Sequence, residues 1–344
     1  MKALVLDDYM KFTYRDVPDP APVNGRDILV RIKAAAICGS DVHGMDGSTG
    51  RRRPPIIMGH EAAGVVESIG PSVRNFKPGD RVTFDSTVYC GECFYCRRGQ
   101  VNLCENRRVL GVSCAEYRRD GTFAEYVTVP EHIVYAMPEG LDFIDASLAE
   151  PAAVAAHAAA ISPLSLDDSL LVVGTGLIGL LLIQILRAGS AGRIIALDTD
   201  PSRRAAAIRF GADAVFDPTE PATAGKVRSL TAGRGADISF EAVGASAPIR
   251  TAIELTRKGG SVTLIGNVSP TVEIPLQSVV TRQIALLGSC AMAGEYPLVL
   301  DLMVRKKIDA RALVSAVAPL SQGASWFERL HAREAGLLKV VLEP

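Results

Sequence analysis

Residues 170–198 read LLVVGTGLIGLLLIQILRAGSAGRIIALD. The whole stretch parses as strand, turn, helix, strand. Leu170–Val173 is a short apolar run, LIGLLLIQILRAG has the length and composition of a helix, and Ile194–Leu197 is a second apolar run. Between the first strand and the helix lies Gly174-Thr175-Gly176-Leu177-Ile178-Gly179, a G-x-G-x-x-G. That pattern alone is weak, but here each glycine has a purpose. Gly174 permits the tight turn, Gly176 lets a pyrophosphate approach the backbone, and Gly179 permits close helix–strand packing. The helix N-terminus offers free N–H groups and the positive end of its dipole. Asp198 ends the second strand at the spacing where a carboxylate meets the ribose hydroxyls of NAD and repels the 2′-phosphate of NADP. The turn residues, Leu177 and Ile178 included, are therefore candidate NAD contacts. Arg203 is a candidate to pack on the adenine or to neutralise Asp198, and Arg203 with Arg204 would offer NADP its phosphate site.

Working outward, the alternation continues. SRRAAAIRFGA reads as a helix, AVFD and DISFEAVG as strands, APIRTAIELTRKGG as a helix and SVTLIGN as a strand. Repeated βα units imply a parallel sheet covered on both faces. Before about residue 150 the texture differs. ILVRIKAAAI, AAGVVESIG, DRVTF and AEYVTV are short strand-like segments separated by Gly, Pro and Asn-Gly. After about residue 287, EYPLVLDLMVRKKID and SWFERLHAR read as helices and LKVVLE as a last strand. The expectation is an α/β chain: a β-rich domain over 1–152, a doubly wound parallel sheet over 153–289, and a segment 290–344 that returns to the first domain.

The 344 residues carry a formal net charge of −1, which argues against nucleic acid or an anionic membrane as partner. No apolar run reaches the roughly 20 residues of a membrane span. MKALVLDDYM lacks the pattern of a secretory leader, so a cytoplasmic location is expected. Seven cysteines, an odd number, then suit metal ligands or core thiols better than a disulfide framework.

Two cysteine settings stand out. Ile37–Glu61 reads ICGSDVHGMDGSTGRRRPPIIMGHE and contains Cys38 and His60, a donor pair that suits Zn²⁺. Taken singly, each would serve equally well as a buried core residue. Two ligands do not close a tetrahedral site, so a third must come from elsewhere. Arg51-Arg52-Arg53 in the same stretch is a solvated turn or a phosphate-recognition element. Further on, Cys90, Cys93, Cys96 and Cys104 form C-x₂-C-x₂-C-x₇-C in a Gly-rich polar segment. Four thiolates around one structural Zn²⁺ would supply the stability that segment lacks; an iron–sulfur cluster is the competing occupant.

Together these features resemble the zinc-dependent medium-chain dehydrogenase/reductase family over nearly the whole chain. Gly59-His60-Glu61 with Gly64, Val66 and Gly70, then Gly79-Asp80-Arg81-Val82, then the four cysteines and the nucleotide turn are similar to its motifs in order. Glu150-Pro151 leading into Ala155-Ala156-His157-Ala158 resembles the polyol (sorbitol/L-iditol) and threonine dehydrogenase branch. The resemblance implies a GroES-like β-rich catalytic domain and a Rossmann domain, with two zinc ions per chain and NAD. It implies Cys38, His60 and Glu150 as catalytic zinc ligands. Glu61 is implied either as a further ligand or as the partner of a zinc-bound water. Glu150 is equally placed as an N-terminal helix charge. Ser40 and His43 occupy the proton-relay positions, Asp41 that of the carboxylate orienting the ligand histidine, and Ile178 that of the apolar residue behind the nicotinamide. The implied reaction is hydride transfer between a secondary alcohol, such as a polyol, and NAD. An amino alcohol such as threonine or a sugar-alcohol phosphate is the alternative substrate, and a redox-inactive binding protein the alternative class. A homodimer or homotetramer is implied, and the strand Ser261–Ile265 with its flanks is the candidate to extend a sheet across it.

Overall fold

The computed structural model describes residues 1–20, 25–113, 118–189 and 192–344. Cys114 and Asn24 of the Asn-Gly turn lie outside the described residues. The chain divides into two compact units, Met1–Glu150 with Ala293–Pro344, and Pro151–Met292.

The first unit is built on a sheet with strand order Val134–Ala136, Arg81–Phe84, Glu61–Ile69, Asp27–Ala36, Lys339–Glu343 and Val314–Pro319. Tyr126–Pro130 also pairs with Asp27–Ala36. The Asp27–Ala36 strand explains its own place. Ile28, Val30 and Ile32 face the core while Arg31 is exposed, and then three alanines are buried in succession. Alternation marks a half-buried strand and the alanine run a stretch enclosed on both faces. Its antiparallel register puts Ala36 opposite both Glu61 and Val341. One strand end therefore gathers residues from three distant parts of the sequence. Below it, Leu4, Leu6, Ile32, Phe84, Phe123 and Phe327 form the core.

The second unit is a six-stranded parallel sheet, ordered Ala214–Phe216, Ile194–Leu197, Leu170–Val173, Ala236–Glu241, Thr256–Leu264, Ala285–Gly288. The sequence direction reverses between Leu170–Val173 and Ala236–Glu241, the position at which such sheets open a ligand crevice. The expected helix over APIRTAIELTRKGG is shorter: it spans Ser246–Leu255, and Thr256 already begins the next strand. Likewise EYPLVLDLMVRKKID is helical only over Tyr296–Val304. The strand containing Ser261 is interior, bonded on both sides. It has no free edge; the edges of the described sheet are Ala214–Phe216 and Ala285–Gly288.

Candidate metal centre and cofactor turn

Cys38 follows the Asp27–Ala36 strand and caps the short helix Gly39–Gly44. Its backbone N–H donates to Asp41 Oδ2 at 3.3 Å. Glu61 opens the neighbouring strand and His60 immediately precedes it, both buried. One donor atom from each of Cys38, His60 and Glu61 lies within 4.8 Å of the others. The Cys38 thiol is held far above its ordinary range, first by burial and then by the charge of Glu61. A thiol in that state is no nucleophile in water but ionises readily against a divalent cation.

Two buried atoms here have no hydrogen-bond partner, His60 Nδ1 and Glu61 Oε1. Orphaned lone pairs of this kind are costly when buried. Beside a soft sulfur donor the Glu61 oxygen fits a metal ion. His60 Nδ1 faces Asp41 Oδ1 at 3.6 Å, on the side from which a carboxylate orients a ligand imidazole.

Glu150 lies in the first turn of the helix Ala149–Ala160 and is buried. It is not within the three-residue group, but it faces it. Burial pushes its pKa up to about 7, His60 opposing that rise and Glu61 adding to it. Ser86 Oγ donates to Glu150 Oε1 at 2.8 Å.

Sequence reasoning missed the cation that completes this centre. Lys339 Nζ is bonded to Glu61 Oε2 and donates to Ile37 O at 2.8 Å, with both charged side chains enclosed. The only sequence signal was a lysine opening the last strand, ahead of three apolar residues. It also misplaced the arginine run. Arg51 and Arg53 are exposed, but Arg52 is buried and paired with Asp41. The run is neither a wholly solvated turn nor a three-arginine phosphate clamp.

Ser40 is exposed on the short helix and accepts from Arg52 Nη2 at 3.3 Å. His43 is half-buried, its pKa lowered by burial and then by the nearby charges of Arg333 and His331, against Asp46.

In the cysteine lobe the Sγ atoms of Cys90, Cys93, Cys96 and Cys104 lie within 4.8 Å of one another. Backbone N–H groups of Glu92 and Cys93 draw the Cys90 pKa down to about 6, while burial pushes Cys96 up to about 12. Four crowded sulfurs, some already served by N–H donors, fit one shared cation.

In the second unit Gly174 has φ +91°, and a Cβ on Gly179 would sit 2.0 Å from Gly174 O. A Cβ on Gly176 would meet nothing within 4 Å, leaving the backbone open where a pyrophosphate approaches. Asp198 ends its strand with its carboxylate engaged. Oδ2 accepts from Thr175 N at 2.8 Å and Thr175 Oγ1 at 3.1 Å, and Oδ1 from Asp200 N at 2.9 Å. Leu177 and Ile178 open the helix Leu177–Gly189. Arg203 does not neutralise Asp198: it is exposed and lies 3.9 Å from Asp200. Arg204 donates to the carbonyls of Asp198 and Thr199 and to Asp217, so it stitches the turn together. Glu241, also missed, accepts from Val243 N and Gly244 N and shapes the turn across the switch point.

Two family models match the chain: an alcohol dehydrogenase GroES-like domain over residues 24–139 and a zinc-binding dehydrogenase over residues 178–305. A "Probable D-xylulose reductase A" of Arthroderma otae is 33% identical over 338 residues, 96% of this chain and 94% of that protein. A sorbitol dehydrogenase of Bacillus subtilis is 32% identical over 349 residues, 100% and 97% of the two chains. The solved alcohol dehydrogenase TADH of Thermus sp. ATN1 superposes with a TM-score of 0.92 at 30% identity, covering 100% of this chain and 99% of that one.

Proposed function

Because the chain belongs to the zinc-dependent medium-chain dehydrogenase/reductase family, we propose that it oxidises a secondary hydroxyl of a polyol and passes the hydride to NAD. The observation that carries this reading is the enclosed donor group of Cys38, His60 and Glu61 with Glu150 facing it. Charge decides the ligands. Lys339 cancels Glu61 and Arg52 cancels Asp41. Of the four acidic groups, Cys38 and Glu150 remain to balance a divalent ion, with His60 as the neutral third ligand. Glu61, held by Lys339, is the reserve. The four-cysteine lobe would hold a second, structural zinc.

A zinc ion bound by these residues supplies Lewis acidity to the alcohol oxygen. The chain does the rest. Ser40 Oγ would take the hydroxyl proton while giving up its own, and the His43 ring would accept a proton and release it to solvent. Burial, then Arg333 and His331 against Asp46, lowers the His43 pKa and so favours the neutral ring that can accept. Asp198 would receive the adenosine ribose, the Gly174–Gly179 turn the pyrophosphate, and Ile178 would back the nicotinamide. Asp198 already carries three N–H or O–H donors, so its charge is fixed in place, which favours NAD over NADP.

The names of the two curated relatives support a polyol. A phosphorylated substrate loses ground because Arg52 is spent inside the protein. No described cysteine forms a disulfide, which suits a cytoplasmic protein, and no described helix is long and apolar enough to cross a membrane. The strand Ala285–Gly288, an edge of the described sheet, suits sheet extension in a homo-oligomer. The test is NADH appearance with xylitol, L-threonine and a hexitol phosphate at equal concentration. Turnover of the polyol well above the other two is expected. Turnover of L-threonine or of the phosphate alone overturns the substrate class.

A further inference from the structure

Arg52 is the one member of the arginine run that turns inward, and its side chain is 3% exposed. Its Nη2 and Nε both donate to Asp41 Oδ1, at 2.8 and 3.2 Å. Nη2 also donates to Ser40 Oγ at 3.3 Å. Asp41 in turn looks towards both metal donors: Oδ2 accepts from the Cys38 N–H, and Oδ1 lies 3.6 Å from His60 Nδ1. The short helix makes room for this. A Cβ on Gly44 would stand 2.6 Å from Arg52 Cγ, so the stem crosses the helix where no side chain obstructs it. The main chain on either side is pinned as well, Ser113 N donating to Arg51 O and Ser113 Oγ to Arg53 O.

We propose that Arg52 is a positioning residue for the metal centre, its guanidinium tying Asp41, which orients His60 and Cys38, to the hydroxyl of Ser40. The inference rests on the proposed zinc-dependent reaction and adds to it a mechanical link between the ligands and the proton relay. Arginine suits the position because its bonds leave from two nitrogens of one rigid plane. An ammonium keeps the charge beside Asp41 but releases Ser40. A neutral side chain releases both, and leaves a buried carboxylate uncompensated.

The test compares Arg52→Lys, Arg52→Gln and Gly44→Ala with the unsubstituted protein. Zinc affinity is read by chelator competition, the site by the absorption of its cobalt derivative, and NAD affinity by fluorescence titration. In Arg52→Gln the affinity of the catalytic site is expected to fall about 10- to 100-fold, as when partners of ligand side chains are removed elsewhere. The cysteine-lobe zinc and the NAD affinity stay unchanged. Arg52→Lys is expected to retain most of the affinity yet lose kcat without a matching rise in KM. Gly44→Ala, which displaces the stem, is expected to resemble it. Unchanged zinc affinity, cobalt spectrum and kcat in all three variants overturn the inference alone. Failure of both Arg52 variants to fold also overturns it, by making Arg52 part of the scaffold. An unsubstituted chain that binds only one metal overturns the proposed function, and this inference with it.

Discussion

The ammonium of Lys339 is bonded to the carboxylate of Glu61, 278 residues away in sequence, with both groups buried. The pair exists because the last strand, Lys339–Glu343, inserts antiparallel beside Asp27–Ala36, which pairs on its other side with Glu61–Ile69. It leaves Glu61 neutral in sum and so sets which acids are available to a metal.

Replacing Lys339 by Met strips the buried Glu61 carboxylate of its counter-charge. Breaking one side of such a pair costs about 3–5 kcal/mol. Urea denaturation of Lys339→Met is expected to show a loss of that order. The double variant Lys339→Met with Glu61→Gln, which buries no charge, is expected to recover most of it. A single variant as stable as the parent would show that Glu61 is compensated by something other than Lys339.

His43 is predicted to set the acid limb of the pH profile. It must be neutral to accept a proton, so activity rises as pH rises through its pKa. Burial, and then Arg333, hold that pKa below the ordinary histidine value. Arg333→Gln removes a repelling cation and raises it, moving the acid limb of kcat/KM to higher pH. Asp46→Asn removes an attracting anion and moves the limb the other way. Each displacement is expected to be roughly a few tenths of a pH unit, since half-buried charges are screened by solvent and salt. Limbs that do not move, or that move in the same direction, would remove His43 from the relay.

Asp85 is predicted to weaken the fold at high pH. Burial pushes its pKa up to about 7, with the Thr87 N–H at 2.7 Å only partly offsetting it. The ordinary value in an unfolded chain is about 3.9. The folded state therefore binds the proton more tightly. Its stability from this group is complete below about pH 4 and is lost as pH rises towards 7. Asp85→Asn keeps an acceptor for Thr87 and never ionises. Its thermal midpoint is expected to exceed the parent's at pH 8, by at most about 4 kcal/mol in stability, and to match it near pH 4. An equal gain at both pH values, or a loss at pH 8, would contradict this.

The nucleotide unit was legible because its signals are local. Strand, glycine turn, helix and Asp198 lie within 29 consecutive residues (170–198), and each glycine marks a backbone demand made by its neighbours. The cysteine lobe was legible for the same reason. The metal centre was only half legible. Cys38 and His60 announce themselves by chemistry, whereas Lys339 reaches Glu61 through strand pairing that no short-range pattern encodes. Arg52 was hidden by the company it keeps, since three successive arginines read as solvent-facing when two of them are. The helix over APIRTAIELTRKGG was overextended because Thr256–Gly260 has no proline to stop it, and strand pairing with Ala236–Glu241 decides the boundary instead.

The central claim is that Cys38 and His60, with Glu150, hold a catalytic zinc apart from the four-cysteine lobe. Metal analysis of the purified chain and of Cys38→Ser, alongside NAD titration and polyol turnover, tests it most directly. The account predicts two zinc ions per chain in the parent and one in the variant, with NAD binding near normal and turnover abolished. Two zinc ions and full activity in Cys38→Ser would contradict it.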